Sequence, residues 1–243
     1  MLRRFAEIDV FTTTRYGGNP VAVVLDSAGL DTRAMQQFAH WTNLSETTFV
    51  LPPSGPHTHY RVRIFTPTAE LPFAGHPTLG TCHAWLAAAI EPPEVVVQEC
   101  GAGLVPIRRT PDGLAFAAPP LLRSGPVEET LVARCAEVLA IARTDVVDAQ
   151  WVDNGPGWVA VLLRDADAVL RLRPGPFDFE LGVVGPYPDG APAAFEVRAF
   201  FPKDGAMVED PVTGSLNAGL AQWLVPAGSR LTCTRPARPS AVP

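Results

Sequence analysis

The chain has 243 residues, 47% hydrophobic and 18% charged, the composition of a globular protein with a sizeable core, which excludes disorder as its main state. Its 19 basic and 25 acidic residues give a net charge of −6 with no cluster of Lys and Arg, so the counterion-release contribution to nucleic-acid affinity is missing and DNA, RNA and anionic membranes are poor partners. The longest uninterrupted apolar run, AWLAAAI at 84–90, falls far short of the roughly 20 residues of a membrane span.

At the start, Glu7 and Asp9 interrupt what a signal peptide would keep apolar, so no export signal is read. Strands are predicted over 4–10, 20–25, 46–51 and 58–66, with a helix from an Asp31 N-cap to Trp41 that spaces Met35, Phe38 and Trp41 helically. Further strands are predicted over 94–99, 103–108, 157–163 and 194–201, and an amphipathic helix over 129–141. Residues 150–157 and 181–192 read as loops, and the 26 prolines punctuate many short strands. The four cysteines, Cys82, Cys100, Cys135 and Cys233, contain no CxxC pair, which fits a reducing cytoplasm.

VRIFTP at 62–67 returns as VRAFFP at 197–202, 135 positions later, and each copy runs through a Gly-containing turn into an apolar helix ending in Trp-Leu. The chain thus reads as two related halves, 1–117 and 118–243, divided near the Pro-rich stretch 117–126. Each repeat aims a strand and tight turn at a helix N-terminus, where unpaired N–H groups and the helix dipole attract an anion. Gly75 and Gly214 allow close approach to the backbone, and His76, Asp210 and Ser215 beside them can donate, accept or shuttle a proton. Taken singly, Asp210 and Ser215 also fit plain helix caps, and His76 a polar turn residue. Glu46 stands at the head of an apolar strand between Leu44 and Phe49, where partial burial would raise its pKa towards that of a general acid/base; an exposed strand-end Glu is the bland alternative.

Together, FAEIDVFTTTRYGGNPVAVVL, LSETTFV, FTPTAELPFAGHPTLGT, ECGAGLV and EDPVTGS resemble the PhzF family of phenazine-biosynthesis-like proteins over residues 1 to about 225. The resemblance implies an α+β fold of diaminopimelate epimerase type: two pseudo-symmetric domains, each a curved mixed sheet around a central helix, with the active site between them. It implies a cofactor-independent isomerase, commonly a homodimer, that moves a proton on a small carboxylate substrate, as in trans-2,3-dihydro-3-hydroxyanthranilate isomerisation. Carried over, Glu46 matches the family's proton-transferring acid/base, His76, Asp210 and Ser215 its substrate-site residues, and Gly75 and Gly214 its helix-entry turns.

Rival readings are weaker. His40, His57, His59, His76 and His83 lack an acidic third ligand near the His57/His59 pair, so no metal is implied, and GxGxxG and GxxxxGK loops for nucleotide cofactors are absent. No GxSxG elbow frames Ser215 for a hydrolase. Thiol-dependent epimerases of this fold carry a cysteine at each helix entry; here Cys82 falls inside the helix and Cys100 before the ECGAG turn, as small core residues. The competing class is a catalytically silent relative that binds a small acid or a protein. The ending RLTCTRPARPSAVP, with Pro236, Pro239 and Pro243, argues against a regular last strand.

Overall fold

The structure, a computed structural model, describes residues 2–111, 113–203, 206–210 and 213–225. The expectation for the ending 230–243 lies outside the described residues. Two compact units divide after Ala117, one running to that residue and the other starting at Ala118.

The first unit contains β1 (Phe5–Val10), β2 (Asn19–Val24), α1 (Thr32–Thr42), β3 (Thr47–Leu51), β4 (Tyr60–Phe65), β5 (Glu70–Leu71), α2 (Gly75–Ala88), β6 (Val95–Cys100), β7 (Gly103–Thr110) and β8 (Gly113–Phe116). Its strands order as β1-β2-β3-β4-β6-β7-β8, with β5 on β4. Helix α2 touches both β1 and β8, the two ends of that order, so the sheet curls around it. Its core joins Val10, Val21, Val62, Ile64, Cys82 and Ile107. Helix α1 covers the opposite face through Met35 and Ala39, packed with Phe49 and Phe65. Asp31 caps α1 by accepting from the Ala34 N–H at 2.7 Å, and Asn43 ends it in the left-handed region. Trp41 falls past that covered stripe and stays 78% exposed, tilted on Phe38 at 5.7 Å.

The second unit contains β9 (Arg123–Pro126), α3 (Glu129–Val138), β10 (Val146–Asp153), β11 (Val159–Leu163), α4 (Ala166–Arg171), β12 (Leu181–Pro186), β13 (Phe195–Lys203), β14 (Ala206–Asp210) and α5 (Gly214–Leu224). Its sheet runs β14-β13-β12-β11-β10-β9. Helices α3 and α4 pack on one face with Val161, Leu181 and Phe200, and α5 on the other with Val152, Ala160 and Val184.

The duplication extends to the pairing of five successive strands in each unit. In the first unit β1/β2 is antiparallel, β2/β3 parallel, and β3/β4 and β4/β5 antiparallel; β10 to β14 repeat that series in the same order. A helix, α1 or α4, lies between the two parallel strands in each series, and each series ends in a central helix.

Two segments depart from the sequence reading. Residues 150–153 belong to β10, and 181–186 form β12, buried between β11 and β13, although both were expected as loops. The glycines that suggested a loop serve close packing: a side chain on Gly182 would begin 2.4 Å from Leu216 Cδ1, and one on Gly185 2.3 Å from the Asp165 carbonyl. Helix α3 stops at Val138, short of 141, because Ala140 turns into the left-handed region at φ 55°. Among the described residues no helix is long and apolar enough to cross a membrane.

Candidate active site

Four of the five helices divide into two kinds by how they begin. Asp31 and Asp165 accept backbone N–H bonds at the starts of α1 and α4. Helices α2 and α5 begin after Ala74 and Thr213, neither of which supplies a side-chain cap, and neither has an acidic residue in its first turn. The two central helices therefore begin, at their positive dipole ends, without a cap side chain at the N-cap or an acidic residue in the first turn. Gly75 and Gly214 are the first residues of these helices, and His76 and Ser215 the second. Each helix then seats on its sheet through a glycine five residues on: a side chain on Gly80 would begin 2.4 Å from Val21 Cγ1, and one on Gly219 2.4 Å from the Val152 carbonyl oxygen.

In the first unit Glu46 directly precedes β3, and its Oε2 lies 3.4 Å from His76 Nε2. Both side chains are largely buried, 17% and 8% exposed. The contact follows from strand alternation: Thr48, two residues along on the same strand face, accepts a 2.8 Å hydrogen bond from Thr81 of α2, so that face of β3 is held against the helix. Gln98 donates to Thr78 at 3.0 Å and accepts from the Tyr60 hydroxyl at 3.0 Å, fixing the first turns of α2 to β6 and β4.

Burial pushes the His76 imidazole down from 6.5 to about 4, against an opposing contact with the Pro20 carbonyl. At neutral pH the ring is uncharged, so the pair is not an ion pair. Asn19 Nδ2 faces His76 Nδ1 at 3.4 Å, and Nε2 is the ring nitrogen turned to Glu46, in a contact that is not aligned as a hydrogen bond.

In the second unit Asp210 closes β14 opposite Ala199. Ser215 Oγ accepts from Trp158 Nε1 at 2.9 Å, and the Ser215 carbonyl accepts from Asn154 Nδ2 at 2.8 Å. With the Trp158 N–H on its oxygen, the Ser215 hydroxyl keeps its own proton free to donate. Thr213 is buried, and its hydroxyl has no hydrogen-bond partner among the described residues. Thr213, not Asp210 or Ser215, holds the N-cap position of α5.

The structure thus brings Glu46, His76 and Gly75 together in one unit, and in the other places Asp210 at the end of β14 and Gly214 and Ser215 at the start of α5. Asn19, Trp158, Asn154 and Thr213 join them without having been singled out in the sequence. Asn19, in GGNP ahead of a strand, and Trp158, after the NGPG turn, stand where a loop delivers a side chain to a sheet edge. Cys82 is fully buried with its thiol pushed up to about 11 by desolvation, which makes it inert rather than nucleophilic. Among the described residues no three of His, Cys, Asp and Glu cluster as metal ligands would.

The sequence model of the family described as phenazine biosynthesis-like protein (PhzC-PhzF) matches residues 8–234. The chain is 41% identical over 182 residues to the protein named antisense-enhancing sequence 1 of Schizosaccharomyces pombe, an alignment covering 70% of this chain and only 60% of that relative. It is 35% identical over 229 residues to trans-2,3-dihydro-3-hydroxyanthranilate isomerase of Pseudomonas aeruginosa, covering 90% of this chain and 79% of that enzyme. Its fold is similar to the crystal structure of the PhzF-family phenazine biosynthesis protein of Enterococcus faecalis, with a TM-score of 0.75 at 25% identity over 92% of this chain and 82% of the other. With the matched model spanning nearly its whole length, the chain belongs to the phenazine biosynthesis-like, PhzC-PhzF, family.

Proposed function

We propose that this protein is an isomerase that moves a proton within a small carboxylate substrate, as its relative named trans-2,3-dihydro-3-hydroxyanthranilate isomerase does. The observation that carries the reading is the 3.4 Å approach of Glu46 to a neutral, buried His76 at the uncapped start of α2. Glu46 is the acid/base: it takes a proton from one carbon of the substrate, the electron pair moves into the conjugated system, and the same carboxyl returns the proton to another carbon. Composition and oxidation state are unchanged, so the step calls on no metal and no organic cofactor. His76, uncharged at neutral pH, packs its Nε2 against the Glu46 carboxyl and confines it. Within the second unit, the α5 start, with the Ser215 hydroxyl and Asp210, is suited to bind the polar groups of a small acid. A cytoplasmic homodimer belongs to the same proposal.

The test is incubation of the protein and its Glu46→Gln variant with trans-2,3-dihydro-3-hydroxyanthranilate in deuterated water, following absorbance and deuterium incorporation by NMR. Turnover with deuterium uptake by the wild type, falling at least about 100-fold in the folded variant, is expected for a lost acid/base. Equal turnover by both removes Glu46 from the reaction; no turnover by either leaves a family member that binds small acids without this chemistry.

A further inference from the structure

The repeated pairing gives Glu46 a counterpart. Aligning Phe65 with Phe200 in the duplicated strand places Thr47, opposite Phe65, at the position of Leu181, opposite Phe200. The residue before each is a glutamate, Glu46 and Glu180, and both strands continue the match into parallel pairing, Ala22 with Thr47 and Val159 with Leu181.

The face agrees as well as the register. Strand alternation puts Glu180 with Gly182 and Val184; Gly182 abuts Leu216, the residue after Ser215, and Val184 packs with Leu216 and Leu220. Glu180 therefore points to the α5 side of the sheet, level with the helix start. Its Oε2 lies 3.5 Å from where a side chain on Gly157 would begin, and Gly157 adjoins Trp158, whose indole N–H holds Ser215. The Glu180 carbonyl accepts the Val159 N–H at 3.1 Å, which fixes the backbone. Among the described residues no hydrogen bond to its carboxylate is formed. Gly157 has φ 99°, a conformation that suits glycine, and its bare Cα leaves the room the carboxylate uses.

We infer that Glu180 is a specificity-determining residue of this site: its carboxylate accepts a hydrogen bond from an N–H or O–H group carried by the acid bound at the start of α5. The inference rests on the proposed use of that turn for the substrate's polar groups. The turn itself is donor-rich, with the first backbone N–H groups of α5 and the Ser215 hydroxyl, and so takes the anionic group. An acceptor beside it rewards a ligand that also carries a donor, and repels one that carries a second negative charge.

The experiment is calorimetric titration of the wild-type protein, Glu180→Ala and Glu180→Gln with anthranilate and with benzoate, which differ by one amine. The wild type is expected to bind anthranilate about tenfold more tightly, the worth of one charge-assisted hydrogen bond. Glu180→Ala should bring the two affinities level, and Glu180→Gln, which keeps a neutral acceptor, should fall between. Cooperative thermal unfolding of each variant shows that it is folded. Equal affinities in the wild type, or a ratio that survives in Glu180→Ala, overturn the inference. Loss of turnover in Glu46→Gln reads the proton-transfer assignment separately, because binding of these two acids requires no proton transfer.

Discussion

Arg198 on β13 holds Glu209 on β14 through two hydrogen bonds, Nε to Oε1 at 2.9 Å and Nη2 to Oε2 at 2.7 Å. Its remaining nitrogen donates to the Leu172 carbonyl at 2.9 Å at the end of α4, and its guanidinium lies 4.8 Å from the Phe200 ring. Arg63 does the same in the first unit, with Glu70 at 2.7 and 2.6 Å and the Phe65 ring at 5.1 Å. Each pair ties together the hairpin that delivers the chain to its central helix, and Glu209 is the neighbour of Asp210.

The two copies differ in exposure, and that sets the first prediction. The Arg198 side chain is 9% exposed, whereas Arg63 and Glu70 are 26% and 38% exposed. Glu209 is itself 30% exposed, so the difference lies with the arginine: Arg198→Met also takes away the donor that serves the Val169 and Leu172 carbonyls, at a cost of about 1–3 kcal/mol, while an exposed pair contributes about 1 kcal/mol or less. Arg198→Met should therefore lower the urea midpoint more than Arg63→Met. Equal losses would show that the second pair is as solvated as the first.

The glycines of the central helices give the second. A methyl on Gly219 would sit 2.4 Å from a backbone carbonyl, which cannot swing aside, whereas one on Gly75 meets only the tip of the Phe116 ring at 3.4 Å. Gly219→Ala should cost about 2–3 kcal/mol, as overpacking does, and Gly75→Ala less than about 1. Thermal unfolding of the two variants decides between them. A stable Gly75→Ala protein then reports on the site alone, since its methyl stands at the start of α2 beside His76.

Much of this arrangement was legible in the sequence because it is local. The repeat of VRIFTP as VRAFFP marked β4 and β13, and the glycines ahead of two apolar runs marked the starts of α2 and α5. What stayed hidden depends on distant partners. LGVVGP looks like a turn until Leu216 and Asp165 are known to press on Gly182 and Gly185. Asn19 and Trp158 carry no signal of their own, because their value lies in reaching His76 and Ser215, 57 residues away in each case. The equivalence of Glu180 with Glu46 needed strand register, since the segments around them share little sequence beyond the glutamate.

His76 makes stability depend on pH in a defined direction. Its folded-state pKa is depressed from 6.5 to about 4 by burial, so between those values the unfolded chain binds a proton that the native protein refuses. The unfolded state thus gains as pH falls, and stability contributed by the neutral imidazole is fully present above about pH 6.5 and lost as pH drops towards 4. Between pH 7 and pH 5 the loss attributable to this residue is about 2 kcal/mol, from the linkage relation. His76→Gln keeps a polar side chain without a titrating group, so its unfolding free energy should fall less over the same interval, the difference between the two proteins narrowing by that amount. Urea unfolding at pH 7, 6 and 5 measures it, and parallel curves for the two proteins would mean that His76 takes up its proton in the folded state as readily as in the unfolded one. The consequence for the site follows from the same number: a ring that stays neutral through the working range lies against Glu46 without a counter-charge, so the pH dependence of turnover above about pH 5 reports groups other than His76.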